Sequence, residues 1–570
     1  MQRILRINTA TREIVDTPVA GDQLLLGGRA MTSGFLLREV PAACHPLGPF
    51  NKIIFAVGPL AGTLVSSANR LSVGAKSPLT GGIKESNAGG MLAYKLGRLG
   101  LRAVILEGRP AEGDAWQILH IDARGVRLTH APPELAGVGV YEKSRVLFAK
   151  YGARAGLALI GPAGEQRLLC AGVTCTDPEG IPSRYSGRGG LGAVLASKGI
   201  MAVVVDDSAA PKEKMADQAA FAAGLRQVAA LIAATPQTSE VYRKFGTSAM
   251  LSTTNALGAL PVRNFSRGTF EKAGSIDGSA LYNAIIERGG EGNPSHGCMR
   301  GCLIKCSNIF PGKDGKAVVS PLEYESIGLL GSNCGIGDLD AIARLNHACN
   351  DMGVDTIDTG AAIAVAMEAG LAPFGDAEFA EKAVKGIISG EILSRVIGSG
   401  AEMTGKILGQ YRVPTAKGQS MAAYDPRSVK GTGVTYATSA MGADHTAGNT
   451  TRLQVKQTEK QGQVGNAKKA QAGIMLLDSL GLCIMLGAAV KDMSLIIGLV
   501  NARFGTSFTL AEAETLAARA LDDERSFNRK AGLGPPSDRV AEFFYLEKNP
   551  DSGGIYDFTP EDFLELTGGR

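Results

Sequence analysis

The sequence lacks any block of basic residues: 59 Lys and Arg are interspersed with 55 Asp and Glu, a formal charge of +4 over 570 residues. Phosphate-backbone recognition needs a basic stripe or patch, so nucleic acid is excluded as a principal partner, which leaves room only for a local basic docking surface. No apolar run follows Met1-Gln2-Arg3-Ile4-Leu5, because Asn8, Thr9 and Arg12 come within a few residues. A Sec-type leader is therefore not expected, and the chain reads as cytoplasmic. A membrane-length stretch is missing as well. The most apolar late segment, 473–500, is interrupted by Asp478, Lys491 and Asp492, which predicts a buried helix and no membrane span. Internal repeats and low-complexity tracts are not evident.

What the sequence has in excess is glycine, 75 of 570 residues, nearly twice the usual share of about 7%. Backbone must come close to something. Apolar residues at 45% and charged residues at 20% are ordinary for a globular protein, and the length favours about two to four domains. Residues 1–208 read as a β-rich domain, with runs such as Lys52–Val57, Ala103–Glu107 and Met201–Val205 bounded by Gly or Pro. Composition then shifts to Ala, Leu, Lys and Glu at helical spacing, as in Met215–Ala234 and Leu339–Met352. A polar, Pro/Gly/Ser-rich stretch at 413–428 divides this helical part into 209–417 and 418–570. The expected class is α+β, a β-rich first domain followed by two mainly helical ones.

Nine cysteines, an odd number without an export signal, argue against structural disulfides. Three recur every fourth residue, Cys298, Cys302 and Cys306, near one face of a helical turn or at successive corners of a loop. Soft thiolates converging in this way suit an iron–sulfur cluster, which wants four, or a zinc ion, which would also take His296. Buried, unligated thiols are the plainer alternative. A fourth ligand has to come from Cys334, Cys349 or Cys483, and spacing does not choose among them.

The block Arg70–Gly90 (RLSVGAKSPLTGGIKESNAGG), the triple cysteine and the later Asp478-Ser479-Leu480-Gly481-Leu482-Cys483 together resemble the tungsten-dependent aldehyde:ferredoxin oxidoreductase family. Further matches are Ser186–Val194, Glu323-Tyr324-Glu325, Gly331-Ser332-Asn333, Asn350–Thr356 and Gly442-Ala443-Asp444-His445, so the likeness covers nearly the whole chain. The resemblance implies a tungsten held by the dithiolene sulfurs of two pterins, with molybdenum the alternative metal. It also implies one [4Fe–4S] cluster on Cys298, Cys302, Cys306 and Cys483, and a Mg²⁺ bridging the pterin phosphates. By motif position, Arg70 meets phosphate, Asn87 and the turn Arg188-Gly189-Gly190 reach the Mg²⁺, Gly187 belongs to the cofactor-binding set, and Gly89 admits the cofactor. Backbone N–H groups, a cation and oxygen ligands are what two bridged phosphates require. Two loops embrace the pterins, Asn350 to Asp355 with Val354 where Leu is usual, and Asp478 to Cys483 with Leu482. Asn350 stands where many relatives have Asp, and its amide oxygen still accepts a hydrogen bond.

Arg344-Leu345-Asn346-His347 occupies the place where some relatives carry an ExxH motif for an intersubunit iron; here that iron is not expected, and His347 reads as a hydrogen-bonded helix histidine. The implied chemistry is two-electron oxidation of an aldehyde to a carboxylate, with electrons leaving singly through the cluster to ferredoxin or a ferredoxin-like Fe–S subunit. Glu325 is the expected base and His445 the polarising donor. A homodimer or hetero-oligomer is expected. Two alternatives stand beside this: the catalytic subunit of a tungsten-dependent aromatic acyl-CoA reductase, and a pterin-free Fe–S electron-transfer protein or zinc-stabilised scaffold.

Overall fold

A computed structural model describes residues 2–111 and 113–567. Its first third is built on two six-stranded sheets. One holds β1 (Arg3–Asn8), β2 (Ile14–Pro18), β3 (Ile53–Val57), β4 (Leu71–Lys76), β5 (Ile83–Ala88) and β6 (Leu101–Glu107) in the order β2-β1-β6-β3-β4-β5. The other holds β7 (Gln117–Asp122), β8 (Gly125–His130), β9 (Gly156–Leu159), β10 (Val173–Thr176), β11 (Pro182–Ser186) and β12 (Ile200–Asp206) in the order β8-β7-β12-β9-β10-β11. The second order is the first with every strand displaced by six. In each sheet the first strand pairs in parallel with the sixth, and the sixth pairs antiparallel with the third. The region is thus a duplicated six-strand unit, in contrast to the absence of repeats expected from the sequence.

All three expected strand runs fall on strands, β3, β6 and β12. The region is less exclusively strand and turn than expected, because helices such as Gly28–Glu39, Val140–Tyr151 and Leu191–Ser197 lie between them. Parallel pairing explains part of this, since β1 and β6 or β7 and β12 cannot be joined by a tight hairpin. In each unit a Gly-Gly pair follows the fifth strand and opens a short helix: Gly89-Gly90 before Leu92–Arg98, and Gly189-Gly190 before Leu191–Ser197. Apolar side chains between the sheets, among them Val73, Val104, Leu159 and Val203, form one continuous core.

Beyond β12 the chain is mainly helical, so the class is α+β. The helix Gln218–Ala234 starts where Asp217 accepts from the Ala220 amide, Leu339–Met352 where Asp338 accepts from Asp340, and Leu510–Lys530 at a Thr509/Glu512 capping box. Segment 473–500 is not one buried helix. A helix ends at Ser479, the chain turns through left-handed Gly481 (φ 69°), and a second helix begins at Ser494. The 413–428 stretch is almost wholly buried beyond Val413 and carries a short hairpin, Thr415–Ala416 with Gln419–Ser420. Among the described residues no single helix is long and apolar enough to cross a membrane; one pair that passes together on composition is bent by 80°.

Two equivalent close contacts join the duplicated units to the helical part. A Cβ on Gly58, just after β3, would sit 2.1 Å from the Leu480 carbonyl oxygen, and one on Gly161, after β9, 2.4 Å from that of Met352. Backbone cannot retreat from such overlaps as a flexible side chain can. Gly58→Ala and Gly161→Ala should each cost about 1–3 kcal/mol; an unchanged midpoint in thermal denaturation by circular dichroism would show that the contact is not needed.

Candidate active site

The two units present matching edges to two helix ends. Just before β4, the Arg70 amide donates to Gly481 O at 3.1 Å, and just before β10 the Gly172 amide donates to Gly353 O at 2.9 Å. Gly481 and Gly353 are both left-handed, with φ of 69° and 75°, and they turn the chain out of the helices Gln463–Ser479 and Leu339–Met352. The loops Asn350–Asp355 and Asp478–Cys483 are therefore structural counterparts. Between them lies a cavity of about 1070 Å³.

Arg70, Asn87, Gly89 and Gly187 line this cavity from the sheets, and Asn350, Val354, Asp355 and Cys483 line it from the loops. Arg70 is aimed by Asn87, donating from Nε to its amide oxygen and from Nη2 to its carbonyl at 3.0 Å. Asn350 donates to the Tyr141 hydroxyl at 3.4 Å. Asp355 caps the helix Thr356–Glu368, accepting from the amides of Ile357 and Asp358. Other expected site residues lie behind the wall. Arg188 is buried among Asp355, Asp358, Ser420 O and Ala443 O, and the Gly189 carbonyl already accepts from Ser77 at 2.7 Å. Gly190 is left-handed (φ 76°) at the start of its helix. Asp478 pairs with buried Arg29 at 3.4 Å, and burial and the neighbouring Glu85 push its carboxyl well above the ordinary range despite Arg29. Leu482 packs in the helical core.

Three of the four expected cluster thiols, Cys298, Cys306 and Cys483, share the cavity wall, and Cys302 stands beside Cys298. The Cys302 thiol, with help from Arg184 and Arg70, draws the Cys298 thiol down to about 5. Burial and its neighbours Cys298 and Cys483 push Cys306 far up. Cys298 lies against the first glycine loop: its carbonyl accepts from Gly90 N at 2.8 Å, and a Cβ on Gly89 would sit 3.2 Å from its sulfur. Cys334 and Cys349 stay in the apolar core. His296 is spent elsewhere, with Nε2 2.8 Å from Asp177 and Nδ1 3.4 Å from Glu179. Among the described residues no three His, Cys, Asp or Glu side chains close on a point as a single metal ion would need. His347 bonds Val318 O at 2.8 Å and stacks on Tyr141, while Arg344 pairs with Glu381.

Glu325 and His445 meet on the same cavity, Glu325 Oε1 lying 3.3 Å from His445 Nε2. Glu325 is oriented through Oε2, which accepts from the Ala423 amide at 2.8 Å. His445 Nδ1 is buried with no partner. Tyr424 lies 5.9 Å from the imidazole and Tyr324 behind it, both with hydroxyls raised by burial and by the Glu325 charge. Glu323, Arg184 and Tyr424 also line the cavity, and sequence reasoning did not single them out as site residues. Glu323, raised by burial, is anchored by Thr247 and stands 4.0 Å from Arg184, beside the cysteines. Its one signal was its place in the Glu323-Tyr324-Glu325 motif.

A pterin-type cofactor fits this site on the residues present. The chamber has room, an Arg70 guanidinium and an Asn87 amide stand at one end, and a Cβ on Gly89 would intrude on the cysteine wall. Four thiols fit an iron–sulfur cluster by donor type. Models of the aldehyde ferredoxin oxidoreductase N-terminal domain and of its domains 2 and 3 match residues 4–207 and 224–565. The chain belongs to the aldehyde ferredoxin oxidoreductase family and is an oxidoreductase of that type. It is 30% identical over 582 residues to the tungsten-containing aldehyde ferredoxin oxidoreductases of Pyrococcus furiosus and of Thermococcus kodakarensis, covering 97% of this chain and 92% of each relative. An aliphatic sulfonate oxidoreductase, WOR-like subunit, of Pyrococcus furiosus is 22% identical over 78% of this chain and 74% of its own length. A solved active-site complex of benzoyl coenzyme A reductase shares the fold, with a TM-score of 0.81 over 100% of this chain and 94% of that one at 18% identity.

Asp444 fixes the residue beside it. It is buried, pairs with Lys84, lies 3.8 Å from Arg188 and accepts from Thr446 N at the turn that carries His445. Burial alone would raise its carboxyl, but Lys84 and Arg188 pull it far below the ordinary carboxylate range. Its contribution to stability is therefore complete above its ordinary pKa of 3.8 and is lost as pH falls further. Asp444→Asn should cost about 3–5 kcal/mol at pH 7 by leaving Lys84 unpaired, with the loss shrinking below pH 3.8. Chemical denaturation across pH measures this; a variant as stable as the parent at neutral pH would remove the role.

Proposed function

We propose that this protein oxidises aldehydes to carboxylic acids at a tungsten bis-pterin, and that electrons leave through a [4Fe–4S] cluster to ferredoxin or a ferredoxin-like subunit. The observation that carries this reading is one cavity that holds the Glu325–His445 pair, the Arg70–Asn87 pair and three of the four clustered thiols. The paired edges of the duplicated sheets add to it, since a cofactor with two like halves suits two like half-sites. Arg70 and Asn87 would hold the phosphate end and its Mg²⁺, the loops at 350–355 and 478–483 the pterins, and Cys298, Cys302, Cys306 and Cys483 the cluster. When bound, these groups supply a two-electron acceptor for the substrate and a one-electron exit. The sequence-based division at about residues 208 and 417 is proposed as the domain organisation.

Glu325 accepts the proton released as water or an aldehyde hydrate becomes carboxylate, its free oxygen being the one that faces His445. His445 donates from Nε2 to the substrate oxygen and holds the developing negative charge. Tyr324, Tyr424 and the apolar wall exclude bulk water from that proton.

Metal and pterin content of anaerobically purified protein tests the cofactor assignment. About one tungsten, four irons and two pterins per chain are expected, whereas zinc without pterin would overturn it. Viologen-coupled assays test the reaction: aldehydes should be oxidised and an aromatic acyl-CoA thioester left unchanged, and the reverse would overturn the aldehyde reading. Glu325→Gln should lower kcat by about 10²-fold or more at unchanged metal content, and His445→Asn by about 10²–10³-fold. Retained activity in either would remove that residue from the reaction.

A further inference from the structure

The cavity continues outward beyond the Glu325–His445 pair. The wall that carries His445 runs on through Thr446 and Asn449 to Arg452, and the helix Gln463–Ser479 adds Lys469, Ala470, Gly473, Ile474 and Leu477. That spacing is one helical face, and it spans about 12 Å from Lys469 to Leu477. Lys469 is exposed while Ile474 is buried, so the channel opens to solvent at the Lys469 end. Met250, Met485 and Met493 line it with Ile474 and Leu477, and methionine adapts its shape to an apolar guest. Gly473 gives further room. Glycine weakens a helix relative to alanine, yet a Cβ at this position would meet nothing within 4 Å, so no packing contact demands the bare backbone.

The outer end of this apolar channel is cationic. Its exposed charged residues are Arg452, Lys469, Lys491 and Glu514, three cations against one acid. Over the whole chain positive and negative side chains nearly balance, so the excess is local. Arg452 is also held in place. Its guanidinium carbon lies 5.0 Å from the centre of the buried Tyr242 ring, and Nε donates to the Met250 sulfur at 3.2 Å. Desolvation against that wall lowers the Arg452 pKa, and no neighbouring acid offsets it. A thioether is a weak acceptor, and among the described residues neither Nη group has a hydrogen-bond partner. A steered guanidinium with both Nη groups free, at the end of an apolar channel, is fitted to an anion that arrives with the substrate.

We propose that the aldehyde taken by this site carries a carboxylate at the far end of an apolar body, and that Arg452 holds this carboxylate through Nη1 and Nη2. The inference rests on the aldehyde reading above and specifies its substrate class, the semialdehyde of a dicarboxylic acid. A planar guanidinium meets a carboxylate in two parallel hydrogen bonds, and Lys469 and Lys491 draw the anion to the opening. The reaction balances as an ordinary aldehyde oxidation. The carbonyl carbon loses its hydrogen and gains the oxygen of one water, two electrons pass to the acceptor, the protons reach solvent and a dicarboxylate leaves.

Viologen-coupled turnover of 6-oxohexanoate and of hexanal by the holoenzyme tests this, since the two chains are equally long and differ in the terminal carboxylate. The oxo acid should be favoured in kcat/KM by about tenfold or more, chiefly through KM, and added salt should shrink the preference. Arg452→Gln should bring the ratio close to one. Arg452→Lys should restore part of it, because an ammonium keeps the charge and lacks the fork. Calorimetric titration with adipate and with hexanoate reads the same site without turnover: adipate should bind the more tightly and lose about tenfold in Arg452→Gln. Equal use of both aldehydes by the parent, or a ratio unchanged in Arg452→Gln, would overturn the proposal. Arg452-dependent binding of an aromatic acyl-CoA in place of adipate would assign the anion to the CoA phosphates and overturn it too. If neither aldehyde is oxidised while adipate still binds through Arg452, the aldehyde reading falls and the carboxylate site stands.

Discussion

The architecture hangs on one buried guanidinium. Arg188 leaves the second sheet just after β11 and lies 3.4 Å from carboxylate oxygens of both Asp355 and Asp358, while it donates to Ala443 O at 2.7 Å and Ser420 O at 2.5 Å. A single side chain thus joins the sheets, the middle helices and the last third of the chain. Burying such a charge is costly unless every donor is met. Here the surrounding acids raise its pKa although burial alone would lower it. Asp358 bears the strain in return, its carboxyl pushed to about 6 by burial and by Asp355 despite Arg188. The Lys84–Asp444 pair extends the network to the residue before His445. Placement of the Glu325–His445 pair therefore depends on charges that do not themselves face the cavity.

Around that anchor the duplicated sheet makes two nearly equal half-sites, and the loops make them unequal. Gly353 and Gly481 take the same left-handed turn and meet the same edge of their units. Two residues beyond them the chain places Asp355 on one side and Cys483 on the other. The carboxylate caps a helix, and the thiol joins Cys298 and Cys306. One change of side chain in a repeated frame thus gives one half-site a thiol and the other a helix-capping carboxylate.

Much of the local structure was legible because it is governed by near neighbours. Strands β3, β6 and β12 follow from β-branched runs between turn residues, and Leu339–Met352 from apolar spacing after an Asp cap. The triple cysteine was legible from spacing. The duplication was not, since matching strand order survives while side chains diverge; the Gly-Gly pairs at 89–90 and 189–190 and the Gly-Pro pairs at 58–59 and 161–162 are faint echoes of it. The 413–428 stretch was legible only in part. Its Pro, Gly and Ser mark a boundary in the sequence, but not that Ser420 meets Asp358 and Arg188 in the interior, because burial of polar backbone against distant charges leaves no local signature.

The sequence by itself determined the class of elements, the family to which the chain belongs and the supply of soft and acidic side chains, because periodicity, capping and motif spacing act over a few residues. Tertiary structure decided which of them meet. It brought Cys483 to residues nearly two hundred positions away, set Glu325 against His445, turned Arg188 from the cavity into the scaffold and left Cys334 and Cys349 in the core. Those choices depend on long-range packing and on the pairing of buried charges, and neither is written in the spacing of residues along the chain.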